Sequence, residues 1–412
     1  MKNDLQRLRA GELAGARRFS LAAGLAEFPR EIFSLSDSLE ILDLSGNALT
    51  SLPDDLHRFT RLRVLFCSNN AFTELPACIG ACPALEMVGF KANRIARVPA
   101  ASLPPLLRWL ILTDNAIEEL PDELGRRPRL QKLMLAGNRL RALPDTLGGC
   151  ESLALLRIAA NRFDTLPAWL GSLPRLAWLA FGGNPVCAER EAAALHANGI
   201  PSIDEAGIVL QEKLGEGASG VIHRAAWRRG DGTTEALAVK RFKGAITSDG
   251  TPRSEMAACV AAGPHPNLIG ATARVVSDAG GDALAMRLID PAFEVLAGPP
   301  SLASCTRDVY DPAVRFTAQQ ALQIASGIGS AVAHLHARGI LHGDLYAHNI
   351  LRDGGEALLG DFGAASFFDV ADDALAAALR RIEARAFGCL LDELAERCEE
   401  RSKIDPVFDT LR

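Results

Sequence analysis

The chain has 412 residues, of which 48% are hydrophobic and 23% charged, a composition typical of folded globular proteins rather than disordered chains. This length exceeds a single ordinary core and predicts two domains. The formal net charge of −6 disfavours broad non-specific binding to nucleic acids or anionic membranes, because both require a strongly positive surface.

The N-terminal segment and the cysteines indicate the cellular setting. Met1 to Ala16 mixes acidic and basic residues without the apolar core of a secretory signal, and no segment is apolar over the length of a membrane span. The nine cysteines show no CxxC spacing, which predicts reduced and mainly buried thiols. We therefore expect a cytoplasmic protein.

An asparagine recurs through the first half of the chain at intervals of 23, 23, 22, 23, 23 and 23 residues, at Asn47, Asn70, Asn93, Asn115, Asn138, Asn161 and Asn184. Leucine-like residues precede each of them at fixed offsets. The resulting pattern, L-x-x-L-x-L-x-x-N-x-L-x-x-L-P, resembles that of leucine-rich-repeat proteins. The resemblance implies an α/β leucine-rich-repeat solenoid, in which each repeat buries its leucines only against its neighbours.

Strand residues that point outward between the leucines form the concave surface of such a solenoid. Two columns on this surface are unusually apolar, and we expect four of their members to contact a protein partner: Phe66, Trp109, Met134 and Trp178. The alternative is a face that is covered within the chain or simply tolerated. The repeated asparagines are expected to be scaffold, because their amides satisfy backbone groups at each tight bend.

We expect the repeat domain to cover residues 1–198, with a cap at each end. Leucines at roughly helical spacing predict an N-terminal cap in Met1 to Ala16, and Cys187 to Asn198, ended by Gly199, predicts a closing helix. A short linker over 199–206 contains Ile200, Pro201 and Ile203. It predicts a fixed junction to a second domain over 207–412.

The second domain opens with a G-x-G-x-x-G loop, from Gly215 to Gly220, between two strand-like segments, Ile208 to Leu214 and Val221 to Trp227. Such glycines let backbone N–H groups approach phosphates closely, although a glycine loop by itself is often a plain turn. Because a strand rather than a helix follows, a dinucleotide-binding Rossmann site is disfavoured and a kinase-type hairpin is favoured.

Two residues of opposite charge lie on the next predicted elements. The strand from Ala236 to Lys240 ends on a lysine that can reach nucleotide phosphates. A helix predicted to begin near residues 248–249 carries Glu255, which can hold that lysine. Further along, Leu284 to Leu288 predicts a strand and Ala321 to Ala337 a long buried helix.

The stretch from His342 to Asn349, His-Gly-Asp-Leu-Tyr-Ala-His-Asn, and the Asp-Phe-Gly that begins at Asp361 place two carboxylates and an amide in one loop system. Phosphoryl transfer requires this set, because one acid orients the attacking hydroxyl while an asparagine and a second acid hold the magnesium ions. Asp344, Asn349 and Asp361 are the candidates for these roles. Apolar residues after Asn349 and before Asp361 predict two short strands that hold the loop ends.

The order of these motifs from Gly215 to Gly363 resembles the protein-kinase family, which implies an α+β bilobal protein-kinase-like domain. The resemblance implies three sets of functional residues. The ATP-binding set is Gly215, Gly217, Gly220, Ile222, Ala238, Lys240 and Leu351. The catalytic set is Asp344, with Lys240 and Glu255 as an ion pair. The metal-binding set, for Mg²⁺, is Asn349 and Asp361.

Several positions depart from the family pattern. Gly343 stands where most protein kinases have an arginine, and Tyr346 where serine/threonine kinases usually have a lysine. Only about twenty residues separate Gly363 from Glu383, which resembles the start of the next core helix, so both the activation segment and the C-lobe are shortened. The missing arginine normally pairs with a phosphorylated activation loop, so the two losses agree and imply activity without loop phosphorylation.

We expect ATP- and Mg²⁺-dependent transfer of a γ-phosphoryl group to Ser or Thr of a protein recruited by the repeats. One alternative is a pseudokinase scaffold that binds nucleotide and partners; the short C-lobe favours it, and the retained catalytic and metal-binding residues disfavour it. Another is a small-molecule kinase, because His-Gly-Asp also occurs in phosphotransferases resembling aminoglycoside kinases. The short C-lobe indicates either a truncated chain or a repeat array that covers its exposed side.

Overall fold

The computed structural model describes residues 4–196, 200–217, 219–243, 246–276 and 283–411. The chain divides into two compact units, residues 1–156 with 161–175, and residues 157–160 with 176–412. The second unit therefore includes the last turn of the repeats together with the domain predicted over 207–412. This division differs from the predicted boundary at residue 198.

The repeats form a parallel sheet whose strands follow one another in sequence order. The strands are β1 (Arg18–Ser20), β2 (Ile41–Asp43), β3 (Val64–Phe66), β4 (Met87–Gly89), β5 (Trp109–Ile111), β6 (Lys132–Met134), β7 (Leu155–Arg157) and β8 (Trp178–Ala180). Short 3₁₀ helices return the chain after each strand up to β7, and each follows a proline that fixes an extended entry: Arg30–Leu35, Asp54–Arg58, Ala77–Ala81, Ala100–Ser102, Asp122–Arg126, Asp145–Gly149 and Ala168–Ser172.

The repeated asparagines satisfy the backbone at each bend, as predicted. The Asn138 amide donates to the carbonyl oxygens of Leu112 and Leu135, each at 2.9 Å, and its Oδ1 accepts the N–H of Ile117 at 3.0 Å. One side chain thus links three backbone groups of adjacent repeats, which would otherwise be buried without partners. The predicted N-terminal cap includes the short helix α1 (Asp4–Arg9), which buries Leu8.

A mixed sheet of six strands lies in the second unit. Its strands are β9 (Ser202–Asp204), β10 (Ile208–Glu216), β11 (Gly220–Arg228), β12 (Thr234–Phe242), β13 (Ala271–Val276) and β14 (Ala283–Arg287), in the order β10-β11-β12-β14-β13-β9. The predicted linker over 199–206 thus includes a strand, β9, that pairs in parallel with β13. Gly199, the predicted end of the closing helix, lies outside the described residues, and that helix is α2 (Pro185–His196).

The remaining elements of the second unit are helical with short strand pairs. They are α3 (Pro252–Ala262), β15 (Glu294–Val295), α4 (Ala318–Ala337), β16 (Ile340–Leu341), β17 (Ile350–Asp353), β18 (Glu356–Leu359), β19 (Ser366–Phe367), α5 (Asp373–Glu396) and α6 (Arg401–Leu411). Thr317 and Gln320 form a capping box that starts α4 three residues before the predicted position. The prediction that Glu383 lies at the start of a core helix is wrong, because it lies in the middle of α5, which Asp372 caps eleven residues earlier.

The cysteines bear out their prediction, because all nine are free thiols and only Cys78 and Cys389 are partly exposed. Burial raises the pKa of each of these two thiols to about 11, so neither is activated as a nucleophile. Within the described parts of the chain, no helix has the length and apolar character to cross a bilayer.

Glu393 of α5 provides a test of this packing through pH. Its carboxylate accepts a hydrogen bond from the Tyr310 hydroxyl at 3.2 Å and pairs with Arg307 at 2.9 Å, yet burial outweighs these contacts and raises the Glu393 pKa from 4.5 to about 7. The folded state therefore binds more protons than the unfolded state. Ionisation of Glu393 therefore opposes folding increasingly as the pH rises from about 4.5 to about 7.

Replacing Glu393 by Gln is expected to remove this dependence. Between pH 5 and pH 8, the unfolding free energy of the wild type should fall by about 2 kcal/mol relative to that of Glu393→Gln. Urea denaturation at the two pH values measures the difference. Glu396→Gln is the matched control, because Glu396 is 63% exposed on the same helix. Parallel pH profiles for the wild type and Glu393→Gln would contradict the assignment.

Candidate active site

A cleft with a cavity volume of about 470 Å³ opens between the β10–β11 hairpin, β12, α3 and the loop that leads into β17. Eight of the predicted site residues line it: Gly217, Gly220, Ile222, Lys240, Glu255, Asn349, Leu351 and Asp361. The fold therefore brings together side chains and backbone from segments spread over about 145 residues of sequence.

The glycines of the hairpin differ in the space that each would leave for a side chain. A side chain at Gly220 would place its Cβ 2.4 Å from the carbonyl oxygen of Arg241, so this position requires glycine. Positions 215 and 217 have open space around them, and the Gly217 N–H donates to the Gly220 carbonyl at 3.0 Å to close the loop. Gly215 itself pairs with Ile222 in strand register. The hairpin is thus a closed backbone turn over an open cleft.

Lys240 and Glu255 form the predicted ion pair at the back of the cleft, between Nζ and Oε1. The lysine side chain is 12% exposed and the glutamate 2%, so the pair is shielded from water. Burial acts to lower the pKa of Lys240, but the charges of Glu255 and Asp361 outweigh it and hold the pKa above its usual value. A charged ammonium group therefore faces the cleft, where anionic phosphates can reach it.

The apolar residues of the predicted ATP-binding set lie on two sides of the cleft. Ile222 of β11 and Leu351 of β17 both line the cleft. Ala238 is buried, with 6% exposure, and is not among the described residues that line the cleft. Met286, which pairs with Ala238 on the neighbouring strand, does line it. The apolar part of the cleft thus lies against the side of the sheet that carries Lys240.

A buried histidine anchors the loop of residues 342–349. His342 is fully buried, and its Nε2 lies 2.9 Å from the Gly360 carbonyl, while the Asp344 N–H donates to its Nδ1 at 3.3 Å. Asn349 donates through Nδ2 to the Asp344 carbonyl oxygen at 2.9 Å and to its Oδ2 at 2.8 Å. Asp344 and Asn349 are thereby fixed relative to each other. Asp344 is not among the described residues that line the cleft, and its side chain is 17% exposed.

Asp361 adopts a left-handed backbone conformation, with φ of +54°, that is rare for a non-glycine residue. Its Oδ1 accepts the Gly363 N–H at 3.1 Å, and the neighbouring Phe362 is buried at 1% exposure. The carboxylate itself is exposed in the cleft. Strain of this kind, locked by a buried neighbour, is typical of a functional position.

Asn349 and Asp361 have the donor chemistry that Mg²⁺ prefers. The Asn349 amide nitrogen is engaged with Asp344, which leaves the amide oxygen as a hard ligand in the same cleft as the exposed carboxylate of Asp361. The described residues hold no cluster of three or more His, Cys, Asp or Glu side chains that could bind a metal alone. Mg²⁺ does not need one, because it takes one or two protein oxygens together with water and substrate phosphates.

Sequence reasoning missed two residues at this site, Arg157 and Asp249. Arg157 of β7 lies in the second compact unit and is 1% exposed. It pairs with Asp344 through Nη2, donates from Nη1 to the Gly343 carbonyl at 2.9 Å, and pairs through Nε with Asp249 at 2.7 Å. The available signal was the only basic residue in a mostly apolar column of strand residues, which also contains one acid, Asp43.

The structure corrects the expectation that Trp178 is free to bind a partner. Its ring stacks on Tyr346 with 4.3 Å between centroids, its Nε1 donates to the Leu345 carbonyl at 3.0 Å, and only 3% of the residue is exposed. The alternative of a face covered within the chain holds for this residue. Phe66, Trp109 and Met134 are partly exposed in the first unit, and Trp109 donates to the Met134 sulfur at 3.3 Å.

Comparisons with known proteins agree with this architecture. Residues 208–377 match the protein kinase domain family, and residues 37–77 and 105–163 match leucine-rich-repeat families. The mouse leucine-rich repeat and calponin homology domain-containing protein 1 is 32% identical over 125 residues, which is 29% of this chain and 18% of that protein.

Two further similarities are limited: one is a sequence match to a short part of the chain, and the other is a structural superposition with a low score. The probable inactive serine/threonine-protein kinase roco10 of Dictyostelium discoideum is 31% identical over 120 residues, 26% of this chain and 4% of that protein. An internalin C2 structure from Listeria monocytogenes aligns over 42% of this chain and 75% of its own, with 23% identity and a TM-score of 0.37. The chain thus spans less than a fifth of the length of these curated relatives.

Proposed function

Because the chain combines leucine-rich repeats with a protein kinase domain, we propose that it is an ATP- and Mg²⁺-dependent phosphotransferase that acts on Ser or Thr of a protein. The observation that carries the proposal is the buried Lys240–Glu255 pair in the same cleft as Asn349 and Asp361. A charged lysine and two oxygen donors around one cavity match the needs of a triphosphate and its metal.

In the proposed reaction, Lys240 and the N–H groups of the glycine hairpin bind the phosphates. Asp344 accepts a hydrogen bond from the acceptor hydroxyl and takes its proton. The acceptor oxygen bonds to the γ-phosphorus while the bond from that phosphorus to the bridging oxygen breaks, and ADP leaves with the electron pair. Asn349 and Asp361 would hold Mg²⁺, which neutralises charge on the phosphate oxygens. Catalysis then rests on positioning and electrostatics.

A second candidate is a pseudokinase scaffold, and two observations favour it. Trp178 contacts Tyr346 and Arg157 contacts Asp344, so residues of the repeat strands already occupy one side of the loop that carries the proposed base. In addition, roco10, which is similar to this chain over 120 residues, is named as a probable inactive kinase. A small-molecule acceptor remains the third candidate, because it needs less of that side than a peptide does.

Labelled nucleotide separates the three candidates. The full chain is incubated with γ-³²P-ATP, Mg²⁺ and, in separate reactions, a cell extract, generic protein acceptors and a set of small hydroxyl compounds. Label on protein supports the proposal, label only on a small molecule supports the third candidate, and nucleotide binding without transfer supports the scaffold. Binding is followed by the rise in melting temperature that ATP causes with and without Mg²⁺.

We propose that the repeats recruit the acceptor through the half-buried residues Phe66, Trp109 and Met134. Lys132 lies 4.5 Å above the Trp109 ring, so this aromatic side chain is held in a fixed orientation, as an anchor requires. Trp109→Ser is expected to abolish labelling of the acceptor found in the extract and to leave labelling of a generic acceptor unchanged. Equal loss of both would assign Trp109 to folding instead. A cytoplasmic location completes the proposal, and nine free thiols are compatible with it.

A further inference from the structure

Arg157 contacts the carboxylate that is proposed as the base, that of Asp344, and also Asp249 and the Gly343 carbonyl; these four residues are here called the Arg157 cluster. The guanidinium group uses three separate nitrogens for the two carboxylates and the Gly343 carbonyl. It is 1% exposed, while the Asp249 and Asp344 side chains are 31% and 17% exposed. The arginine is therefore the buried centre of the cluster, and its two acids face outward.

The backbone around the cluster is tightly packed. Gly343 has a φ of +75°, and a Cβ there would lie 2.5 Å from the Leu179 carbonyl oxygen of β8 and 2.7 Å from that of Ala364. The buried Ser366 hydroxyl accepts the N–H groups of Phe181 and Gly182, each at 2.9 Å. Backbone therefore meets backbone on both sides of the loop, which is the packing of a permanent core rather than of a removable cover.

The cluster also supplies a charge that the catalytic loop does not carry. Between His342 and Asn349 the loop contains no lysine and no arginine. Asp249 nevertheless lies close enough to Asp344 and to Asp361 for its charge to interact with theirs. Three acids in one partly buried site repel one another unless a cation compensates, and Arg157 is the cation in contact with two of them.

The arginine holds Asp344 without covering both of its oxygens. Arg157 contacts Oδ1, and Asn349 donates to Oδ2 at 2.8 Å. Each carboxylate oxygen has two lone pairs, so each keeps one acceptor site for a substrate hydroxyl. A charge-assisted bond of this type fixes the orientation of the carboxylate, which a base must present to the substrate hydroxyl.

We propose that Arg157, contributed by the seventh strand of the repeat sheet, is a positioning residue for phosphoryl transfer, which it serves by orienting and compensating Asp344. This inference rests on the proposed phosphotransferase function. The repeats on this account are part of the catalytic apparatus and not only a recruiting surface. Removal of the guanidinium should slow chemistry without weakening nucleotide binding, because Arg157 is not one of the described residues lining the cleft.

The test compares Arg157→Gln, Arg157→Lys and the matched control Arg162→Gln in the full chain; Arg162 is an exposed arginine of the neighbouring bend. Nucleotide-binding stoichiometry counts folded sites, and kcat is expressed per site. We expect Arg157→Gln to lower kcat about 100-fold, with KM for ATP near the wild-type value. Arg157→Lys should recover part of kcat because it restores the positive charge, and Arg162→Gln should match the wild type.

A variant that removes a buried cation leaves two acids without it and is expected to lose stability. Arg157→Gln combined with Asp249→Asn removes one of these charges, and its kcat per site is read in the same way. An unchanged kcat per site overturns the inference, and a raised kcat overturns it in favour of a blocking role. A wild type that binds nucleotide and transfers no phosphate overturns the proposed function itself, and this inference with it, which is a distinct result.

Discussion

Asp344→Asn is expected to reduce phosphotransfer about 100-fold or more while nucleotide binding persists. The substitution preserves the shape of the side chain but removes its charge and one of its two acceptor oxygens. The remaining oxygen cannot serve Arg157, Asn349 and a substrate hydroxyl together. A neutral amide is also unable to take the hydroxyl proton. Transfer of ³²P to the acceptor measures the first effect, and the ATP-dependent rise in melting temperature measures the second.

Asp353→Asn is the matched control, because Asp353 is an exposed aspartate at the end of β17, close in sequence to the loop. It should retain wild-type transfer. Equal transfer by Asp344→Asn and the wild type would show that Asp344 is not the base. Loss of ATP binding in Asp344→Asn would instead assign this residue to the organisation of the cleft, because the cleft is lined by other residues.

Gly343→Ala is expected to destabilise the second unit by about 3 kcal/mol or more. Left-handed backbone costs a non-glycine residue roughly 1–2 kcal/mol. In addition, the new Cβ would lie 2.5 Å and 2.7 Å from two backbone carbonyl oxygens, at Leu179 and Ala364, which cannot move as a flexible side chain would. The arginine that the family resemblance places at this position has even less room. Urea denaturation compares the midpoints and unfolding free energies.

Gly354→Ala separates the cost of the left-handed backbone from the cost of the steric clash. Gly354 also has a positive φ, of +55°, but its surroundings leave open space for a Cβ. This control should lose only the conformational part, about 1 kcal/mol. Similar losses for the two variants would mean that the close approach at Gly343 contributes nothing. A larger loss of unfolding free energy for Gly343→Ala would mean that packing requires the glycine of the His-Gly-Asp motif. The short activation segment would then be a second reason for the absence of an arginine there.

Local sequence patterns were sufficient to predict these secondary-structure elements and most of the residues that line the cleft. The strand-loop-strand context predicted the β10–β11 hairpin, and the apolar residues around Asn349 and Asp361 predicted β17 and β18, which pair antiparallel. The Lys240–Glu255 pair followed from two elements only 15 residues apart. Alternation and helical spacing report which side of an element is buried, so they locate residues that share one local unit.

Periodicity was insufficient where a side chain meets a distant element. Arg157 is 92 residues from Asp249 and 187 from Asp344 along the chain, and in sequence it is only one member of an outward-facing column. Trp178, predicted to face a partner, is buried by Tyr346 instead. The same pattern describes an outward residue whether solvent, a partner or the chain itself covers it.

The sequence by itself determined the repeats, the hairpin, the ion pair and the acids of the loop, because each follows from spacing within a short segment. Only the tertiary structure decided that β8 and Arg157 belong to the unit that contains the cleft, that Gly343 is needed for backbone contact, and that Asp344 is paired to a repeat arginine. The physical reason is that long-range packing is set by the complementary shapes and charges of two surfaces, and a one-dimensional pattern specifies each surface without specifying what it meets.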